Sequence, residues 1–450
     1  MTRKVCLVIM LGILFLSAQL MAEENPLGWK ITTDQLDNGL KVIVLEDHST
    51  PSVSHHVWFH VGSKNERPGI TGISHMIEHM MFKGTPDVPE GEYNRQIQSR
   101  GGIVNAFTHF DMTAYHESLA ADDLELAIKL EADRLENLSI DSAELASELM
   151  VVAEERRTRI DNAPFGDVFE LLLNQAFNAH PYSWMTIGWE SDIMNYTTDK
   201  LRDYFSKYYQ VNNATVVIVG DVDPKNAIKL VKKYYGHLEP GPENLYRPTT
   251  VEPPQKGERR AVISKMAQLP GFFAGYKVVE NGHPDMYPLR ILGKILFDGE
   301  SSRAYKRLVY DEKMCLFAGG DMFSLEDPSL FYIIAVMQGP DKSTEDAEAA
   351  LYEEIDKLKT EPLTENELQK AKNQIEAENW MQLQSNDDKA NALGYYETVM
   401  GDYSFMFGDM DKYLAVTTED VMRVAKEYFD EKKRTVITLV PEMTAGGMGF

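Results

Sequence analysis

The chain repeats itself. Thr197-Thr198-Asp199-Lys200-Leu201 recurs as Thr417-Thr418-Glu419-Asp420-Val421, 220 residues later. At the same offset Tyr208-Tyr209 falls on Tyr428-Phe429, and Thr215-Val216-Val217-Ile218-Val219 falls on Thr435-Val436-Ile437-Thr438-Leu439. A further match, at an offset of 223, pairs Asp141-Ser142-Ala143-Glu144-Leu145 with Thr364-Glu365-Asn366-Glu367-Leu368. Strand-like runs and long helices that occur twice predict two homologous α+β domains, with helices packed on mainly antiparallel sheets. Between the copies, residues 240–257 contain five prolines and no hydrophobic period, which reads as a Pro-rich linker. The expected organisation is a leader over 1–22, a first domain over 23–239, the linker over 240–257 and a second domain over 258–450.

The leader has the anatomy of a secretory signal. Arg3 and Lys4 supply the positive end, Val5 to Ser17 the apolar stretch, and Ala22 a small residue ahead of Glu23-Glu24. Leu20 is a tolerable residue three positions before that cut, and Ala18 is an alternative site. An uncleaved anchor is the competing reading, weakened by Gln19 and the short apolar stretch. Beyond the leader no apolar run reaches membrane length, so the mature chain is expected to be soluble. A bacterial periplasm is the expected compartment, with secretion as the alternative. Cys6 would leave with the leader, and Cys315 alone cannot form an internal disulfide, so stability must come from packed cores. The formal net charge of −25 argues against nucleic acid as a partner. It fits either a well-solvated surface or an acidic cavity for basic or neutral peptides.

Chemistry concentrates at His75-Met76-Ile77-Glu78-His79. Residues four apart lie one turn above each other on a helix, so His75 and His79 can grip one metal ion. Glu78 stands beside them, able to touch an activated water without being a ligand. Two imidazoles, a nearby base and open positions are what hydrolytic zinc sites use. The order His-x-x-Glu-His is the inverzincin signature. Apolar residues at 73, 76, 77, 80 and 81 predict that this helix is buried.

Such a site takes a third protein ligand, usually acidic. The helix-rich composition of residues 142–161 offers Glu148 and Glu155, seven apart and on one stripe, with Glu154 about 100° away. Glu155 is the expected ligand. Glu148 is expected to orient a histidine or balance charge, and Glu154 is next in line should Glu155 fail. Taken alone, the segment also reads as an ordinary charged amphipathic helix.

The blocks together resemble the pitrilysin-type zinc peptidases, the inverzincin family that includes insulin-degrading enzyme and the mitochondrial processing peptidase. The likeness is strongest to short bacterial members and to processing-peptidase subunits. It rests on Val61-Gly62-Ser63 with Glu66, on the run from Gly72 to Thr85, on Gly101-Gly102, Asn105-Ala106, Thr108, Asp111, Thr113 and Tyr115, and on Val151-Val152-Ala153-Glu154-Glu155-Arg156. The resemblance implies one zinc per chain held by His75, His79 and Glu155, with Glu78 as general base in peptide hydrolysis. It implies that Asn105 and Ala106 lie on an edge strand that pairs with an extended peptide. It also implies that the two domains form half of a clam-like chamber. The competing reading is a non-catalytic binding or assembly subunit, a role that some relatives have adopted.

One departure bears on partners. Larger members of the family it resembles, and the partner subunits of some short ones, carry an Arg, and a Tyr seven residues later, in the metal-free half. Here Val309 stands in place of the Arg, and Leu316 or Phe317 in place of the Tyr. A related metal-free subunit in a heterodimer is therefore expected, with a homodimer as the alternative. His55, His56 and His60 lie in an alternating strand pattern. A second metal site there is conceivable, but the sequence shows no supporting carboxylate, so they read as structural.

Overall fold

The computed structural model describes residues 23–442, so the leader lies outside the described residues. Strands β1 (Glu23–Glu24), β2 (Lys30–Gln35), β3 (Lys41–Glu46), β4 (Ser52–Phe59), β5 (Ile103–Thr108), β6 (Thr113–Ala120) and β7 (Ala214–Gly220) form one sheet, ordered β1-β2-β3-β7-β4-β6-β5. Strands β8 (Arg259–Lys265), β9 (Gly271–Lys277), β10 (Cys315–Met322), β11 (Leu330–Met337) and β12 (Arg434–Pro441) form the second, ordered β10-β11-β9-β12-β8. Read from its other edge, the second sheet repeats the first without β1 and β2. Each sheet has one parallel pair, β3 with β7 and β8 with β12, and its remaining pairs are antiparallel. The expected α+β class and the duplication are both present.

Two of the repeated segments are helix starts, which helps make the repeat legible. Asp141 and Thr364 cap the helices Ser142–Arg156 and Glu365–Met381; Thr197 and Thr417 cap Thr198–Tyr208 and Thr418–Tyr428. Each cap side chain accepts a backbone N–H that the helix itself cannot satisfy. Residues 240–257 form neither helix nor strand, yet they are held in place. Glu252 accepts the N–H groups of Asn178, Ala179 and His180 at 2.8–3.1 Å and pairs with Lys277 at 2.8 Å. Cys315 is buried.

Both faces of each sheet are covered, and by different halves. On β7, Val216 and Ile218 join the core built with the first half's own helices, whereas Val217 and Val219 pack against Ala390 and Leu393. Those two belong to the helix Asn386–Met400 of the second half. The reverse holds on the second sheet. Val436 faces its own helices, while Ile437, Leu439 and Phe273 receive Val168, Leu172 and Leu173 from the helix Gly166–Ala176. The two exchanged helices begin 220 residues apart and are the same element of the repeat.

Their contacts are complementary in size. Trp58 and Gly275 occupy equivalent places, opposite Thr215 and Thr435. In the first half the indole of Trp58 fills the seam over Gly394, where an added Cβ would lie 2.1 Å from the indole nitrogen. In the second half, Gly275 leaves room and Leu172 fills it, 3.3 Å from where a Cβ would stand. A buried lysine adds an ionic latch. Lys64 pairs with Asp111 of the first half at 3.1 Å and with Glu326 and Asp327 of the β10–β11 loop at 2.5 and 3.2 Å. Burial disfavours its charge, but the three carboxylates outweigh that and raise its pKa.

Gly394→Ala should therefore destabilise, although the same change in an open helix would stabilise by about 1 kcal/mol. The indole has to shift, so a loss of about 1–3 kcal/mol is expected from the denaturant midpoint. An unchanged or higher midpoint would show that the seam is not tightly packed.

Candidate metal centre

The motif folds as the helix Ile73–Met80, whose Ile73, Met76, Ile77 and Met80 are buried in the first core. Its start is shaped by a close approach of two chain segments. Gly72 (φ +87°) meets the carbonyl of Ile187, and Gly188 (φ +77°) meets that of Thr71; a Cβ on either would lie within 2.1 Å of a backbone oxygen. Gly72 has no side chain to cap the helix. Buried Glu66 takes that role, accepting the N–H groups of Gly72 at 2.6 Å and Ser74 at 2.9 Å. Burial raises the pKa of Glu66 to about 8, with these two N–H donors opposing.

Glu155 arrives from the helix Ser142–Arg156. Its carboxylate lies 3.7 Å from His75 Nε2 and 3.2 Å from His79 Nε2, and the two imidazole rings are 4.6 Å apart. The three donor atoms lie within 4.8 Å of one another. Two neutral-capable nitrogens and one carboxylate around a common point fit a divalent ion. Glu154 points away and pairs with exposed Arg157 at 2.9 Å. The sequence reading of residues 142–161 as one regular helix needs one amendment: Arg157–Asp161 form a wider π-helical turn. From that turn Arg159 reaches back to Glu155 at 2.7 Å. Arg159 is largely exposed, so this pair contributes about 0–1 kcal/mol and is a weak competitor for the carboxylate.

Glu148 sits where the stripe argument placed it. It accepts the Nδ1–H of His79 at 2.8 Å, leaving Nε2 directed at Glu155. Lys83 pairs with the other oxygen of Glu148 at 2.7 Å. A histidine held this way has its tautomer and ring orientation fixed for metal binding. The imidazoles differ in charge. Burial, and then nearby His79, press His75 down to about 4, so it is neutral at pH 7. Burial also disfavours charge on His79, but hydrogen bonds to Glu148 and Glu155 outweigh it and lift His79 to about 9.

Glu78 is mostly buried, and its Oε2 accepts a 2.6 Å hydrogen bond from Thr108 of β5. Burial raises its pKa, with Thr108 and His79 opposing. A hollow of about 320 Å³ opens over Glu78, His79, Phe82 and Asn94. Asn105 and Ala106 lie on β5, the outer strand of its sheet. Sequence reasoning missed the roles of Glu66, Lys83, Thr108 and Arg159. Thr108 stood in a recognised block, but its bond to Glu78 joins a strand to a helix thirty residues earlier in the chain.

The second half replaces this arrangement. Its helix Met286–Phe297 has no histidine, and Glu378, at an offset of 223 from Glu155, pairs with Lys294 of that helix at 2.5 Å. Residues 41–188 match the family model described as "Insulinase (Peptidase family M16)", and residues 195–375 the one described as "Peptidase M16 inactive domain". The chain belongs to peptidase family M16. This is the pitrilysin-type family that the sequence blocks resemble. Within the family, the zinc protease PqqE of Helicobacter pylori is 34% identical over 90% of this chain and 92% of its own length. An uncharacterized zinc protease of Bacillus subtilis, YmxG, is 27% identical over 88% of this chain and 94% of its own. The crystal structure of a protease from Helicobacter pylori superposes with a TM-score of 0.88 at 33% identity, covering 92% of this chain and 100% of that one. The periplasmic protease PqqL of Escherichia coli shares the fold at 19% identity and a TM-score of 0.74, over 92% of this chain and 48% of that one.

Metal binding by His79 requires its neutral form, whereas the metal-free protein holds it protonated up to about 9. Binding at pH 7 should release about one proton per ion, and affinity should rise with pH towards about 9. Calorimetry in buffers of different ionisation enthalpy measures this directly. Binding without proton release at pH 7 would remove His79 from the ligand set or from its two carboxylates.

Proposed function

We propose that this chain is an exported zinc-dependent endopeptidase, with one zinc held by His75, His79 and Glu155 and with Glu78 as general base. The observation that carries the reading is the convergence of both Nε2 atoms on the Glu155 carboxylate, with Glu78 on the same helix. Zinc, when bound, would supply a Lewis acid for the peptide carbonyl and a more acidic water. Glu78 suits the proton transfer because burial makes it more basic than an exposed carboxylate while Thr108 fixes one of its oxygens. It would take the proton from the attacking water and deliver it to the leaving amine. Glu148 and Lys83 would hold the His79 ring in place. The complete donor set speaks against a purely non-catalytic subunit.

Substrate would bind as an added strand. One edge of β5 is paired with β6 and, among the described residues, the other carries no strand, which leaves the backbone at Asn105 and Ala106 at a sheet edge for an extended peptide. Beside Arg159 lies an apolar hollow of about 550 Å³ lined by Phe165, Phe169, Met185, Leu316 and Phe317. Such a wall favours unfolded peptides with apolar side chains over folded proteins. Leu316 and Phe317, which stand in place of the family's Tyr, belong to this wall and offer no hydrogen-bond donor. That supports a related metal-free subunit as the source of the missing Arg and Tyr, with a homodimer as the alternative. Among the described residues no helix is long and apolar enough to cross a membrane. Together with the leader-like residues 1–22, this supports export to the periplasm, or secretion.

Hydrolysis of a quenched fluorescent peptide library, with zinc measured on the same samples, tests the assignment. Glu78→Gln should keep about one zinc per chain and lose about 10²–10⁴-fold in rate. Glu155→Gln should weaken zinc binding itself by at least about tenfold. If Glu155→Gln leaves zinc and rate intact, Glu155 is not a ligand. Turnover retained in Glu78→Gln would refute the general-base role.

A further inference from the structure

The first sheet carries a second set of nitrogen and carboxylate donors on its opposite face. His56 of β4 and His116 of β6 are directly paired across the strands, and their rings lie 4.9 Å apart. Both project from the face that receives the helix Asn386–Met400, as Trp58 does. Asp387, in the first turn of that helix, completes the set. Its Oδ1 lies 2.9 Å from His56 Nε2, 3.0 Å from His116 Nδ1 and 3.4 Å from Ser118 Oγ.

The helix start is fixed over this spot by contacts that do not involve the histidines. Asn386 donates to the carbonyl of Ser52 at 3.2 Å, and Lys389 pairs with Asp47. Asp387 is therefore held above the histidine pair rather than drawn to it. Among the described residues its ion-pair partners are His56 and His116, with no lysine or arginine beside it.

We propose that His56, His116 and Asp387 form a second divalent-metal site, suited to a zinc-like ion, that clips the second half's helix to the first half's sheet. The three donor atoms lie within 4.8 Å of one another, as those of the first centre do. Two imidazoles and one carboxylate are ligands of borderline ions such as zinc, not of calcium or magnesium. With bonds of about 2.0–2.1 Å, a tetrahedral ion places its ligands about 3.3 Å apart, so the nitrogens need to retreat from Oδ1 by only a few tenths of an ångström. His56 is buried, while His116 and Asp387 are partly open, which leaves a side for water as fourth ligand. The ligands come from both halves, so binding would lock them together.

The test uses the full mature chain with the first centre removed, His75→Ala/His79→Ala, stripped with chelator and titrated with zinc or cobalt alone. One ion per chain should remain, against two in the unaltered protein, with visible cobalt absorption and a Tm that rises on loading. Adding His116→Ala, or separately the milder Asp387→Asn, should abolish the remaining equivalent and the Tm rise. No binding in His75→Ala/His79→Ala, with one ion bound by the unaltered protein, would overturn the site and leave a plain hydrogen-bonded clip. Failure of the first centre reads differently: the unaltered and His75→Ala/His79→Ala proteins would then bind equal amounts, and only His116→Ala would lower them.

Discussion

The guanidinium of Arg156 joins three parts of the molecule that the metal centre needs. It donates to both oxygens of Glu170 at 2.8 Å and to the carbonyl of Gly188 at 2.7 Å, and it is buried. Arg156 follows Glu155, so the position of that carboxylate depends on this fork. Gly188 lies against Thr71 and Gly72 at the entry to the motif helix. Glu170 belongs to the helix that packs on the second sheet. One side chain thus couples the helices carrying His75, His79 and Glu155 to the seam between the halves. Removing one partner of such a buried pair costs about 3–5 kcal/mol, more than many single contacts contribute.

Charge around the centre is arranged unevenly, and the unevenness is useful. His75 is neutral because it is buried beside another imidazole, whereas His79 is charged because two carboxylates flank it. In the metal-free protein the proton on His79 stands in for part of the missing positive charge. Without it, Glu148 and Glu155 would face each other's charge across one ring with only Lys83 and Arg159 to offset them. The metal-free centre can therefore stay assembled, which prepares the ligands before an ion arrives.

Much of this was legible in the sequence, for a physical reason that also explains the gaps. The motif helix, the Glu148/Glu155 stripe and the helix caps are set by spacings of a few residues, and the periodicity of a helix carries them directly. The duplication was visible because cap residues and buried strands tolerate little variation in chemistry. By contrast, Arg156 with Glu170, Glu66 under the motif helix, and Asp387 over His56 depend on segments brought together by tertiary packing. No local period connects residues 56 and 387, so the histidines of β4 read as structural, with no carboxylate in sight. The regular helix expected to Asp161 gave way to a π-helical turn over Arg157–Asp161, which no local period announces.

The exchanged helices suggest a history. A lone copy of the repeat, folded as one half folds here, would leave one sheet face bare, with Val217, Val219 and Trp58 or their counterparts open to water. Two identical copies could cover each other by trading the same helix, in a symmetric dimer. Fusion of two such genes would yield this chain. In one chain each seam can be packed independently, and Trp58 over Gly394 and Leu172 over Gly275 solve one packing problem in opposite ways. Loss of histidines from the second copy would then carry no structural penalty, since Lys294 and Glu378 already join the helices that correspond to those carrying His75, His79 and Glu155.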